Sequence, residues 1–159
     1  MLDLRAIRSM IVAGLYAKLQ QPVIRADDEG DVPPYPYVVY SLTSPYIDIF
    51  GKDIEQVVGE NLERVRTVEL VASFTVYSED IDEAEELCMR ILDHFNREDR
   101  EVLAEQGLVV VRISDVQNRS VALVEHYERR YGADVRFRAL DWHVGPGEFI
   151  EQAEITEGS

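Results

Sequence analysis

Apolar and polar positions alternate most cleanly around Arg64 to Tyr77, where Val68, Leu70, Ala72, Phe74 and Val76 interleave with Thr67, Glu69, Val71, Ser73 and Thr75. A period of two places one set on each side of a strand, so the segment predicts a strand with one buried face. At strand rise it would span ~45 Å, longer than most strands, which predicts that one end projects past the core. The same period returns at Ala133, Val135, Phe137 and Ala139 against Asp134, Arg136, Arg138 and Leu140, with arginines on the exposed side. Two further strands are read at Tyr37 to Leu42 and at Leu108 to Ile113.

Helical spacing appears twice. Leu4, Ile7, Ile11, Leu15 and Leu19 recur three or four apart, with Asp3 placed to cap that helix. Ile81, Ala84, Leu87, Cys88, Ile91, Leu92 and Phe95 share a face of a second helix, capped by Asp80 or Ser78 and acidic where the helix dipole is positive. A shorter helix is expected over Arg97 to Gln106, ended by Gly107 in the left-handed conformation. Gln21 to Pro36 is rich in Asp, Gly and Pro and reads as a loop, as does Gln117 to Ser120. Ala122 to Arg129 has only weak alternation, and Ser44 to Asn61 gives mixed signals that select no element.

The order of elements implies an α+β fold: a mainly antiparallel sheet of about four strands with helices packed on one face. Residues 1–144 are expected to form one domain, and 145–159 an acidic, loosely held tail carrying Glu148, Glu151, Glu154 and Glu157 without a basic residue.

A chain of 159 residues with 46% hydrophobic and 30% charged residues is that of an ordinary globular domain. It contains neither an apolar run long enough to span a bilayer nor a signal-like start, so no membrane role is expected and synthesis in a cytoplasm is. The single cysteine, Cys88, excludes an internal disulfide. A net charge of −15 opposes a nucleic-acid-binding surface, which needs clustered cations. The charge is uneven: Asp80 to Glu105 carries ten acids and three arginines, while Arg112 to Arg138 carries six arginines and four acids. Such a chain can complement copies of itself.

No catalytic signature emerges. His94, His126 and His143 lie far apart and outside metal-type spacings, Gly145 and Gly147 mark a turn rather than a phosphate loop, and the acids of the second helix lack the glycine loop of a cation site. No catalytic, cofactor-binding or metal residue is therefore expected. The residues that invite an interface instead are Tyr127, Arg129, Arg130, Tyr131, Arg136 and Arg138, facing Glu83 and Glu86 of the acidic helix of a neighbouring copy.

With these elements placed, the segment Tyr127 to Ala139, YERRYGADVRFRA, resembles the C-terminal strand region of phage tail-terminator and neck-terminator proteins. The upstream order is similar too: an N-terminal helix, a PYVVY strand, the long RTVELVASFTVYS strand and the helix DIDEAEELCMRILDHF. The resemblance implies a virion protein of the tail or neck, made in the host bacterial cytoplasm. It further implies a six-fold homo-oligomeric ring that caps the tail tube protein, stops tube growth and meets a head-completion or neck protein. DNA would pass through such a ring without being specifically bound, and no enzyme activity or cofactor is implied. Competing readings are a head-completion or connector ring, a regulatory domain pairing through its acidic helix, and a small-molecule-binding α+β domain with Tyr35, Tyr37, Tyr40 and Trp142 around a pocket.

Overall fold

The computed structural model describes residues 1–146. Helix α1 (Leu4–Leu19) is followed by strands β1 (Val23–Arg25), β2 (Tyr37–Asp48), β3 (Ile54–Val58) and β4 (Asn61–Ser78). Helix α2 (Ile81–Asp93) continues through a π-helical stretch, His94–Glu98, into α3 (Arg100–Glu105). The chain ends in β5 (Val109–Ile113), β6 (Gln117–Asn118), β7 (Val121–Ala122) and β8 (Tyr127–Pro146).

The sheet corrects the expected α+β class. It is an eight-stranded mixed sheet in a mixed α/β chain, not a four-stranded antiparallel one. Its main path is β1-β2-β4-β8-β5, with β3 on β4 and with β6 and β7 on β8; β1 pairs parallel to β2, Val23 opposite Val38. The four extra strands have two to five residues. Such short strands show little or no hydrophobic period; β1 and β6 fall in stretches whose Gly, Pro or turn residues argued for loops, and β3 in the stretch whose mixed signals selected no element.

The spine is the β4–β8 pair, unbroken in register from Asn61 opposite Pro146 to Ser78 opposite Arg129. Over its central part the even residues of β4 and the odd residues of β8 face the helices: Val68, Leu70, Ala72, Phe74, Val76, Val135 and Phe137 are all fully buried. Ile11 and Leu15 of α1, with Ala84, Cys88 and Ile91 of α2, close over them in one core. Each large side chain so buried contributes on the order of 1.5–3 kcal/mol.

Local chemistry fixes the helix ends. Asp3 accepts from the Ala6 amide at 3.0 Å and caps α1. At α2 the Ser78 hydroxyl accepts from the Asp80 amide at 3.0 Å and donates to Glu83 at 2.8 Å, while Asp80 caps the helix through the Asp82 amide. Gly107 takes φ +93° after α3.

The unassigned stretch Ser44 to Asn61 resolves into the end of β2, a loop and β3, which turns into β4 at Gly59 with φ +60°. Beyond Val68, β2 no longer pairs with β4, and β3 takes its place. The β4–β8 ribbon thus leaves the core as a three-stranded arm, in agreement with the length of the alternating segment. Of the expected C-terminal tail, residues 145 and 146 belong to β8 and 147–159 lie outside the described residues.

Candidate assembly surface

The sheet face turned away from the helices carries ion pairs centred on Glu69, Asp134 and Glu128. Glu69 sits near the middle of β4 with only 5% of its surface exposed, opposite Arg138 and two register positions from Arg136 on the same face. Arg136 Nε donates to one carboxylate oxygen at 2.6 Å, and Arg138 donates to the other through Nη2 at 2.7 Å and Nε at 3.1 Å. Those hydrogen bonds, from Arg136 first and Arg138 second, hold the Glu69 pKa below the usual carboxylate range despite the opposing cost of burial.

Further along, Arg119 lies across the strands. Its Nη1 donates to Ser73 Oγ at 2.8 Å and Thr75 Oγ1 at 2.9 Å, and its Nη2 reaches Asp134 at 3.2 Å. Gly132 makes room for it: a Cβ there would come within 2.6 Å of Arg119 Nη1 and 2.5 Å of the Phe74 carbonyl. At the end of the ribbon, buried Glu128 accepts from Tyr35 and, at 2.5 Å, from Arg130, whose guanidinium lies 4.4 Å above the Tyr77 ring. Tyr35 stacks on Tyr37 with ring centroids 5.6 Å apart, and Tyr37 meets Tyr77 in a tilted contact at 5.1 Å. Burial, then the Glu128 hydrogen bond, pushes the Tyr35 pKa well above that of a free phenol.

The expected interface residues are therefore divided. Arg130, Arg136 and Arg138 lie on the outer face, engaged by glutamates of their own chain. Tyr131 faces inward and hydrogen-bonds Glu85 of α2. Tyr127 and Arg129 stack on each other, 4.2 Å from guanidinium to ring centroid. Glu83 is tied into the α2 cap through Ser78, and Glu86 is exposed on that helix. The sequence reading missed Glu69, Glu128 and Arg119 as partners; the one signal available was a carboxylate at the centre of the most regular strand.

The arm is different in kind. Its helix-free side carries Ile54 and Val58 from β3, Val65 from β4, and Leu140, Trp142 and Val144 from β8, placed together by the pairs Ile54–Val65–Trp142 and Thr67–Leu140. All of these apolar residues but Val65 are 43–68% exposed. The opposite side of the arm is polar: Arg66 bridges Asp48 at 3.1 Å and Asp53 at 2.6 Å beside a cavity of about 280 Å³ that Tyr46 and His143 also line. Tyr46 donates to Asp141 at 2.8 Å, and this bond, ahead of burial, raises its pKa.

These placements do not assemble a ligand pocket from Tyr35, Tyr37, Tyr40 and Trp142. Tyr37 pairs with Tyr77 and Trp142 with Val65, twelve positions apart on β4, or ~40 Å at strand rise. A groove of about 430 Å³ between α1 and the π-helical stretch contains buried His94, whose Nδ1 meets Asp99 at 2.8 Å and whose pKa is lowered by burial. No serine, threonine or cysteine is among the residues that line that groove. Among the described residues, no group of three or more His, Cys, Asp or Glu is disposed to hold a metal ion, and no helix is long and apolar enough to cross a membrane.

A sheet armoured by internal ion pairs on one side, with an apolar arm reaching past the core, defines a protein whose surfaces serve contact and assembly. The phage neck terminator protein family matches residues 4–159, and the chain belongs to that family. It is accordingly a structural protein of the phage tail and neck, in a family that is not one of enzymes. A comparison with curated proteins finds no match. Among solved structures, the bacteriophage SPP1 gp17 protein is similar at 20% identity and a TM-score of 0.41, over 84% of this chain and 88% of that one.

Proposed function

We propose that this protein closes as a six-fold ring on the end of the tail tube, ends tube growth there and presents the joint to the head or neck. Family membership across nearly the whole chain carries the reading. The charge of −15 supports it, because an acidic ring lets DNA pass without phosphate contacts that would hold it. In this reading the ring domain runs to the end of β8 at Pro146, two residues past the expected boundary. The alternative, a charged contact between copies, would use the Tyr127–Arg129 pair and exposed Glu86, since Arg130, Arg136 and Arg138 are engaged internally.

Electron microscopy of lysates from phage lacking the protein tests this. The expected particles are overlong tails and filled heads that remain unjoined, both corrected by supplying the protein in trans. Tails of normal length attached to heads would overturn the proposal.

A further inference from the structure

The arm leaves two strand edges without a strand partner among the described residues. β5 pairs with β8 only as far as Arg138, so from Ala139 to Pro146 β8 has no strand on that side, and the Met1 ammonium, which holds the Trp142 carbonyl, must give way to a strand that pairs there. β3 pairs with β4 alone, so its other edge is open over Ile54–Val58.

Which backbone groups face outward follows from parity. The Arg130 and Asp134 carbonyls accept from the Arg119 and Ser114 amides, on the side of β8 away from β4. Backbone groups alternate sides from residue to residue in an antiparallel strand, and the β4–β8 register is unbroken. Leu140, Trp142 and Val144 therefore also turn their N–H and C=O groups outward, and the Trp142 carbonyl already accepts from the Met1 ammonium there. The odd residues of β8 then bond the even residues of β4, which leaves Asn61, Glu63 and Val65 to bond Val58, Gln56 and Ile54. Glu55 and Val57 consequently point their backbone groups out of the free edge of β3.

The geometry points to edge-to-edge pairing between copies, in which β3 of one copy lies parallel to the open edge of β8 of the next, Glu55 and Val57 bonding among Leu140, Trp142 and Val144. This rests on the ring reading and names the contact that closes it. β3 and β8 both run antiparallel to β4, so copies related by rotation about an axis along the strands present them to each other parallel. A parallel ladder seats each outward residue of one strand between two outward residues of the other. Glu55 then lies opposite Asp141 and Val57 opposite His143, and each face of the arm continues into the same face of its neighbour. Ile54 and Val58 of one copy meet Leu140, Trp142 and Val144 of the next, so the exposed apolar stripes join. Two different edges of one chain that fit each other give the heterologous contact from which rings close. The usual protections of an open edge are sparse: Ile54–Val58 holds neither lysine nor proline, and β8 has none from Ala139 to Gly145.

The test places cysteines at the two facing positions, Val57→Cys with His143→Cys, in protein assembled on tails. Facing Cα atoms on neighbouring strands are about 5 Å apart, within disulfide reach. Cys88 does not compete, being buried with its thiol pushed up to about 11. Mild oxidation is expected to give a ladder of covalent multimers up to the closed ring, with neither single variant cross-linking. Rings seen by microscopy without a ladder would overturn this contact and leave the ring standing; tails with no ring would remove both. Val57→Pro provides a second readout, since it deletes an outward N–H while leaving the β3–β4 bonds in place. It is expected to abolish ring formation at unchanged melting temperature, and intact rings would overturn the proposal.

Discussion

Glu69 concentrates the electrostatics of the outer face on one side chain. Replacing it with Gln keeps the shape but leaves two guanidiniums facing each other without a counter-charge. Because Arg136 and Arg138 are 39% and 47% exposed and can rehydrate, the loss should be about 1–2 kcal/mol, below that of a fully buried pair, read from urea unfolding. Its lowered pKa also sets the sign of an acid dependence. The unfolded state binds a proton to this carboxylate at higher pH than the folded state, so its contribution is present above the unfolded value near 4.5 and is lost as pH falls through the folded one. The gap between wild type and Glu69→Gln should therefore narrow in unfolding curves taken below that pH. Gly132 makes a steric argument of the same size. A methyl group there meets the Phe74 carbonyl at 2.5 Å, which cannot move without breaking the central ladder, so Gly132→Ala should cost about 1–3 kcal/mol, whereas Gly145→Ala, with open space around it, should be silent by the same melts. Neither partnership was legible in the sequence. The pairing of residues 69 and 138 depends on register between strands nearly seventy positions apart, and alternation gives a residue's face but not its cross-strand neighbour.

The long elements were readable because each carries its own period. β4 shows two-residue alternation over a buried face, and α1 and α2 show helical spacing with a capping aspartate in front. Asp80→Ala should accordingly destabilise by about 1 kcal/mol in thermal or chemical melts, as for the loss of an N-cap. Short strands carry no such signal: β6 and β7 hold two residues each and exist because β8 offers an edge to pair with. The arm shows the limit from the other side. Val57, Trp142 and Val144 have the composition of strand interiors, yet they stand where no helix covers them. An alternating pattern reports that a face is apolar and is silent about whether the same chain covers it. Tertiary contacts being few there, amide exchange across β3 and residues 140–146 of β8 should be much faster in the isolated protein than across residues 68–77 of β4. Equal protection of both regions in the monomer would count against an arm that waits for a partner.

At the scale of the whole molecule, charge and apolar surface make opposite claims on assembly. Each copy carries −15, so bringing copies together is opposed by repulsion that salt screens, the Debye length falling from about 10 Å at 0.1 M to about 3 Å at 1 M. Had the arginines of β8 been available to pair with the acidic helix of a neighbour, salt would weaken association instead. Arg130, Arg136 and Arg138 are already held by Glu128 and Glu69 of their own chain, and the proposed contact between arms is made chiefly of backbone bonds and apolar side chains, its one pair of facing charges, Glu55 and Asp141, being of like sign. Association should therefore strengthen as sodium chloride is raised from about 0.05 to 0.5 M, while the screening length shortens severalfold. Light scattering or sedimentation across that series should show the mass shifting from monomer toward ring. The opposite slope would transfer the contact to the charged pairs at Arg129 and Glu86.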